Sequence, residues 1–152
     1  MDLDLLTYRS AITSHAQGLG LFGNVLDHEP VSAPGNGLSF AVWVKNIRPI
    51  PARSGLASVS VRLEVTGRVY MPADTEPLGD VDLEVTGAVN GLFNAYCGDF
   101  QLGGSVAEVD LLGQYGATIS ADLGYTRFNS TTYRVASVVV PLIINDLWTE
   151  AP

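Results

Sequence analysis

The sequence feature that most constrains the fold is a long apolar segment near the end of the chain. Residues 133–144 read YRVASVVVPLII, and residues 118–128 before them read TISADLGYTRF. We interpret the two segments as the arms of a β-hairpin that turns at Asn129-Ser130. The second arm would be roughly twice as long as a typical strand. Because Pro141 cannot donate a hydrogen bond to a neighbouring strand, it belongs at a sheet edge or a bulge, and we interpret this arm as an edge strand.

A long apolar strand at a sheet edge is prone to aggregation unless something covers it. Successive side chains of a strand point to opposite faces, and only one arginine and one serine interrupt the apolar surface of this arm before its proline. Both faces would therefore be largely dry. The helices of the fold can cover one face. We expect the other face, and the edge near Pro141, to contact a neighbouring subunit.

Composition limits the possible functions. The chain has 152 residues, which suggests a single domain, and its 16 acidic and 8 basic side chains give a net charge of −8. This acidity argues against tight binding to nucleic acid or to an acidic membrane, although DNA could still slide through a pore. We expect no transmembrane helix, because no run of about 18 apolar residues occurs. Residues 1–20 lack the apolar core of a signal peptide.

Two helices are predicted from apolar residues at steps of three and four. The first spans residues 4–17, and Asp2 or Asp4 can cap it. The second spans residues 81–96 and ends by Gly98. Acidic residues at the start of the second helix are interpreted as solvated groups that the helix dipole favours. These residues are Asp80, Asp82 and Glu84.

Two longer strands are predicted in the first half of the chain. Residues 38–47 carry apolar side chains on both faces, which indicates a strand covered on both sides. Residues 58–71 alternate between apolar and polar, which predicts a half-buried strand. The polar residues expected in solvent are Ser60, Arg62, Glu64 and Thr66. Residues 31–37 and 48–55 are rich in glycine and proline, and we expect two loops at opposite ends of the 38–47 strand.

The order of these elements predicts an α+β fold for residues 1–152. We expect a mixed, mainly antiparallel sheet with two helices packed on it and a protruding β-hairpin. Shorter strands at residues 25–30 and 106–112 would complete the sheet.

The titratable residues form no catalytic or metal-binding pattern. The two histidines are His15, placed on the exposed side of a helix, and His28, flanked by Asp27 and Glu29. Three consecutive strand residues alternate in direction and do not converge on a metal. Cys97 has no basic neighbour that would stabilise a thiolate, so we interpret it as a buried apolar residue at a helix end. We predict a protein that is not an enzyme and has no cofactor.

Four strings of the sequence resemble phage tail terminator proteins, the neck components of long, non-contractile-tailed phages of actinobacterial hosts. The first is HEPVSAPGNGLSFAVWVKNIRPIPARSGLASVSVRLEVTGRVYM, and the others are NAYCGDFQLGG, VDLLGQYG and YRVASVVVPLIINDLW. The resemblance runs from about Leu5 to Trp148. One departure is Val85-Thr86-Gly87 in the second helix, where the family pattern has a run rich in alanine and leucine.

The resemblance implies a structural virion protein of the tail and neck, assembled in the host cytoplasm. Such proteins form a homo-hexameric ring that caps the tail tube, ends its growth and joins the tail to the head-completion (connector or stopper) proteins. DNA passes through the bore without specific binding. Six chains at −8 each give −48, and acidity lining the bore would repel phosphate. The candidate residues for subunit or partner contacts are Asn36, Trp43, Pro49, Arg53, Arg134, Val138, Val140 and Pro141.

Two other readings stay open from the residues alone. The chain could be another phage neck protein or a tail-tube subunit, in which case a tube subunit should polymerise by itself into long cylinders. It could instead be a small β-rich ligand-binding domain or an enzyme with a carboxylate pair. Such a protein should stay monomeric and contain a deep polar pocket.

Overall fold

The computed structural model describes residues 3–150 of the chain. Two helices and six strands follow one another, joined by loops and two short 3₁₀ turns. In chain order they are α1 (Leu5–Gly18), β1 (Asn24–Leu26), β2 (Ser39–Pro49), the turn Pro51–Arg53, β3 (Ser58–Pro72), α2 (Asp80–Gly98), the turn Leu102–Gly104, β4 (Glu108–Val109), β5 (Ser120–Phe128) and β6 (Thr131–Thr149).

The sheet confirms the predicted α+β class. Its strands run in the order β1-β2-β3-β6, and β4 and β5 both pair with the far side of β6. β1 is parallel to β2, while the β2–β3, β3–β6, β4–β6 and β5–β6 pairs are antiparallel. The hairpin of β5 and β6 is also present as predicted. Asn129 adopts a left-handed backbone conformation (φ 55°) at its turn.

The prediction that residues 133–144 form an edge strand is wrong. β6 has 19 residues and pairs with β3 from Ser58 opposite Thr149 to Pro72 opposite Tyr133. A central strand needs no neighbouring subunit to satisfy its backbone hydrogen bonds. Because β6 pairs with β3 on one side and with β5 on the other, the hairpin lies within the sheet and does not protrude from it.

Pro141 fits inside this central strand because the partner strand changes beside it. β5 pairs with β6 as far as Val139, and β4 takes over at Leu142. The Pro141 carbonyl accepts the Asp110 N–H at 2.8 Å. In a strand, the nitrogen and carbonyl of one residue point to the same side, so the missing N–H of Pro141 faces the gap between β5 and β4.

Both helices pack on one side of the sheet, which we call the helix face. The Asp4 carboxylate accepts the Thr7 N–H at 3.3 Å and caps α1. The Tyr96 hydroxyl of α2 donates to the Ile12 carbonyl of α1 at 3.2 Å, which ties the two helices together. The helices bury a mainly apolar set of side chains against the sheet. Both predicted helices are confirmed to within two residues at each end.

Three residues predicted at a subunit contact lie inside the subunit instead. Val138 and Val140 are fully buried in the core beneath the helices, and Pro141 is buried as well. The physical reason is the central position of β6, because β3, α2 and the β4–β5 side of the sheet surround these side chains.

The prediction of a half-buried β3 is also wrong. The apolar side chains of this strand enter the core as expected, but the polar side chains on its other face are buried too. The buried polar residues are Ser60, Arg62, Glu64 and Thr66. Burial does not leave these side chains without partners, because Arg62 pairs with Glu64 and with Asp110 of a covering loop, and the Ser60 hydroxyl donates to the Arg53 carbonyl.

Two smaller corrections concern the region after α2. Cys97 is exposed because its neighbour Tyr96 takes the inward position in the last turn of the helix. The strand predicted at 106–112 is reduced to Glu108–Val109. The chain turns away after Asp110, whose carboxylate accepts backbone N–H groups of the loop that follows.

The ends of two other strands differ from the prediction. β1 covers Asn24–Leu26 and does not continue to residue 30. β2 extends to Pro49, so the loop predicted at 48–55 begins after it. The loops before and after β2 lie at its opposite ends, as predicted.

Candidate functional site

The side of the sheet opposite the helices, which we call the open face, carries a buried ionic cluster at one end. Arg62 of β3 pairs with Glu64, and its Nε lies 3.3 Å from Asp110 Oδ2. Its guanidinium also donates to the Ala117 carbonyl. Arg62 is fully buried and both carboxylates are nearly so. Every member of the cluster therefore has a partner, as charges taken out of water require.

Residues 110–119, the latch loop, close over this cluster. The Asp110 carboxylate accepts the N–H groups of Gln114 at 2.8 Å and Tyr115 at 2.9 Å. Arg48 donates to the Tyr115 carbonyl at 3.2 Å, and Arg53 lies 5.6 Å from the centre of the Tyr115 ring. The latch loop is fixed through both its backbone and its side chains. Its role in the fold is to cover polar residues of β3.

The other end of the open face is closed by an aromatic cluster and the loop that precedes β2. Tyr133 lies edge-on to Tyr70 and Phe128, with ring centres 6.4 and 5.6 Å away. Its hydroxyl donates to the Gly35 carbonyl at 3.1 Å. Burial raises the pKa of the Tyr70 hydroxyl above its usual value. This loop is anchored, whereas Asn36 within it is exposed.

Between the two covered ends lies a trough of about 320 Å³, lined by residues of both signs of charge. Arg68 crosses it, with its guanidinium carbon 5.3 Å from the Trp43 ring centre and its Nε donating to Ser137 Oγ at 3.0 Å. Lys45 and Asp122 also line the trough. Within residues 3–150, neither forms an ion pair with a contact below 4 Å.

One edge of the sheet is open along most of β2. β1 pairs only with the first three residues of β2. Residues 42–49, the free β2 segment, therefore pair with β3 on one side and have no strand on their other side within the described part of the chain. Val44 and Ile47 are each 39% exposed although they lie on the helix face, opposite the core residues of β3. A β-bulge interrupts the segment between Val44 and Asn46.

The opposite edge of the sheet is formed by β5, which pairs with β6 on one side only. Leu123 and Tyr125 are 41% and 67% exposed. Both lie on the helix face, because their β6 partners are the core residue Ala136 and Arg134. Arg134 donates from Nε to Asp82 of α2 at 2.8 Å and lies 4.6 Å from the Tyr125 ring centre.

The structure does not bring the eight candidate contact residues together. Asn36 and Pro49 are exposed at opposite ends of β2, and Trp43 is half-buried in the trough. Arg53 is paired with Glu108, and Arg134 with Asp82 on the helix side. Val138, Val140 and Pro141 are buried, as described above.

The sequence analysis missed the two sheet edges. Val44, Ile47, Leu123 and Tyr125 carry the exposed apolar surface there, and none was a candidate. The alternation of apolar and polar residues in β5 does indicate a strand with one face shielded from water. The outermost position of β5 depends on strand order, which no local pattern encodes.

The prediction that His15 lies in solvent on the exposed side of a helix is wrong, because its side chain is partly buried. Its Nε2 lies 2.9 Å from Asp99 Oδ2, and its ring is edge-on to Tyr96 at 5.8 Å. Within residues 3–150, no cluster of three or more His, Cys, Asp or Glu side chains has the arrangement of a metal site. No helix in the same range is both long and apolar enough to span a membrane.

Neither protein-family profiles nor curated protein sequences give a relative from which a function could be transferred. No protein-family profile matches the chain, and a search of curated proteins finds no significant match. The features that bear on function are therefore the open face, the two sheet edges and the four sequence segments that resemble phage tail terminators.

Proposed function

We propose that this chain is a ring-forming structural protein of a phage tail, a tail terminator located at the neck of the virion. In this role it caps the tail tube, ends tube growth and joins the tail to the head-completion proteins. The role is structural rather than enzymatic and uses no cofactor. The observation that carries the proposal is a single sheet with two open edges that differ from each other.

Unlike edges favour a head-to-tail assembly. A two-fold dimer joins identical surfaces, so it would cover the β2 edge or the β5 edge and leave the other exposed. A head-to-tail contact joins the β2 edge of one subunit to the β5 edge of the next. When the rotation closes, both long edges of every subunit are covered, and among the described strands only the short β1 and β4 keep an unpaired side.

The layered architecture suggests which side of the sheet faces the bore. Both helices lie on the helix face, so this side needs the larger circumference and belongs on the outside of a ring. The open face then lines the bore. The charged side chains in and beside the trough carry a small net positive charge, three basic against two acidic. They are Glu29, Lys45, Arg48, Arg68 and Asp122.

This orientation changes the expected electrostatics of the bore. The net charge of −8 would not line it, because a group of exposed acids lies around the start of α2, on the helix side. This group comprises Asp74, Glu76, Asp80, Asp82 and Glu84. A wall of mixed charge with few cations per subunit still makes only weak, salt-sensitive contacts with passing DNA.

The loops at the two ends of β2 would lie at the two rims of such a ring. β2 has 11 residues and spans about 36 Å at about 3.3 Å per residue. Asn36 is exposed at one end and Pro51 at the other. One rim would face the tail tube and the other the head-completion proteins. Substitution of Asn36 by Arg should weaken docking to only one of these partners.

The native mass and shape of the purified protein test the proposal. We expect sedimentation and negative-stain images to show closed rings at high protein concentration or on isolated tail tubes. Long cylinders formed by the protein alone would identify a tube subunit, which the same edges could also build. A protein that stays monomeric at every concentration and does not bind tails would contradict both.

A further inference from the structure

We infer that β5 of one subunit pairs with the free β2 segment of the next subunit, so that a second copy of this chain occupies both open edges. This inference rests on the proposed ring and adds the residues that join its subunits. The two edges match in length, since β5 has 9 residues and the free β2 segment comprises residues 42–49.

The strand directions make this junction antiparallel. β2 runs opposite to β3, β3 opposite to β6, and β6 opposite to β5. β5 is therefore antiparallel to β2 within one subunit. Rotation about a ring axis preserves the tilt of each strand along that axis, so β5 also meets the β2 of the next subunit in antiparallel orientation. Antiparallel ladders are the kind that tolerate one solvated face.

Side chains on the helix face support a specific register. Pairing the centre of β5 with the centre of the free β2 segment places Leu123 beside Ile47 and Tyr125 beside Val44. These four side chains are 39–67% exposed in the single subunit. Directly opposed side chains in antiparallel strands lie within contact distance. The junction would bury all four, and the β-bulge after Val44 accommodates the extra residue of β2.

Charges on the open face are complementary in the same register. Asp122 of β5, which has no ion pair below 4 Å within residues 3–150, comes beside Arg48 and close to Lys45 of the next subunit. A lysine and a bulge on an edge strand hinder pairing with arbitrary strands. An aspartate at the matching position makes the edge selective for this partner.

The axial offset between the two edges fits a closed barrel. Gly124, at the centre of β5, is level with Ser39 through the pairings of β6 and β3. The centre of the free β2 segment lies about six residues farther along, or about 20 Å. Each subunit is four strands wide, or about 19 Å. Closure then requires a strand tilt of about 45°, near the usual range of about 35–45° for barrels.

Paired cysteines test this junction. In a background with the exposed Cys97 replaced by serine, we would combine Ile47→Cys with Leu123→Cys. Mild oxidation of concentrated protein should give a ladder of linked subunits that ends at a closed ring. Each single variant should stay unlinked. The matched control combines Ile47→Cys with Asp122→Cys, whose side chain lies on the other face and should not reach.

The outcomes separate this inference from the proposed ring. Linking of the Ile47/Leu123 pair but not of the control pair supports the junction. Rings in the electron microscope that give no such linking, or equal linking of both pairs, would overturn the junction and leave the ring intact. Absence of rings and of linking would overturn the ring proposal, and the junction with it.

Discussion

The two faces of β3 are both buried, but by different chemistry. On the helix face, apolar side chains such as Leu63 pack beneath α1 and α2 without polar partners. On the open face, Arg62 and Glu64 are buried under the latch loop and depend on specific ion pairs and hydrogen bonds. Apolar burial tolerates imprecise geometry, whereas a buried ion pair stabilises only with its partners in place.

Because the helix face is buried without polar partners, we expect the largest loss of stability from a charge placed there. Val138→Asp puts an unpaired carboxylate into the core, where Val138 is fully buried, and should cost more than about 4 kcal/mol of unfolding free energy. Circular dichroism and thermal unfolding should show an unfolded chain. The control Val139→Asp, on the half-buried open face beside the trough, should remain folded. A folded Val138→Asp protein that no longer assembles would instead place this residue at a subunit contact.

The second prediction concerns the ionic cluster of the open face. Arg62→Met leaves Glu64 and Asp110 buried without their shared cation, and should cost about 3–5 kcal/mol. Arg68→Met on the same strand and face is the matched control, because Arg68 has no ion pair within residues 3–150. It should cost about 1 kcal/mol. Urea unfolding measures both values, and equal losses would mean that the buried ion pairs of Arg62 add nothing to the stability of the open face.

These two faces also explain what the sequence could predict. α1 and α2 were placed to within two residues because helix periodicity and the Asp4 cap are local signals. Alternation along β3 was equally clear, but it cannot say whether water or a loop covers the polar side. Arg62 meets Asp110, which is 48 residues away along the chain. Pro141 could not be placed from local sequence either. A proline fits in this central strand only because β5 and β4, which are distant in sequence, pair with β6 on either side of it.

Two glycines, one on each face of the sheet, allow the faces to be compared by adding a methyl group. We expect smaller losses of stability from these changes. A Cβ on Gly67 would lie 2.8 Å from the Phe40 ring on the helix face, and a Cβ on Gly116 would lie 2.7 Å from Arg62 Cζ on the open face. Each Gly→Ala change should cost about 1–3 kcal/mol. Gly124→Ala, with no atom within 4 Å of the added Cβ, should leave the unfolding free energy nearly unchanged. If Gly116→Ala behaved like this control, the latch loop would be looser than its contacts indicate.

The smallest effect is expected from an exposed carboxylate that makes contacts similar to those of Asp110. Asp99 accepts the Gly103 N–H at 2.9 Å and contacts His15 at the end of α2. The Gly103 hydrogen bond, followed by that of His15, lowers the pKa of Asp99 below 3.8. A lowered pKa means that Asp99 stabilises the fold above its unfolded-state pKa, and that this contribution is lost as the pH falls through the lower folded-state value.

Asp99→Asn should therefore reduce the free energy of unfolding slightly at neutral pH, and the difference from the parent protein should shrink below a pH of about 4. Urea unfolding at stepped pH measures this difference. His15→Ala removes only the second cause of the pKa shift, so it should keep part of the pH dependence. A difference that stays constant down to a pH of about 2 would mean that the ionised form of Asp99 is not favoured by folding. The exposed contacts of Asp99 would then contribute no charge-dependent stability, in contrast to the buried contacts of Asp110 under the latch loop.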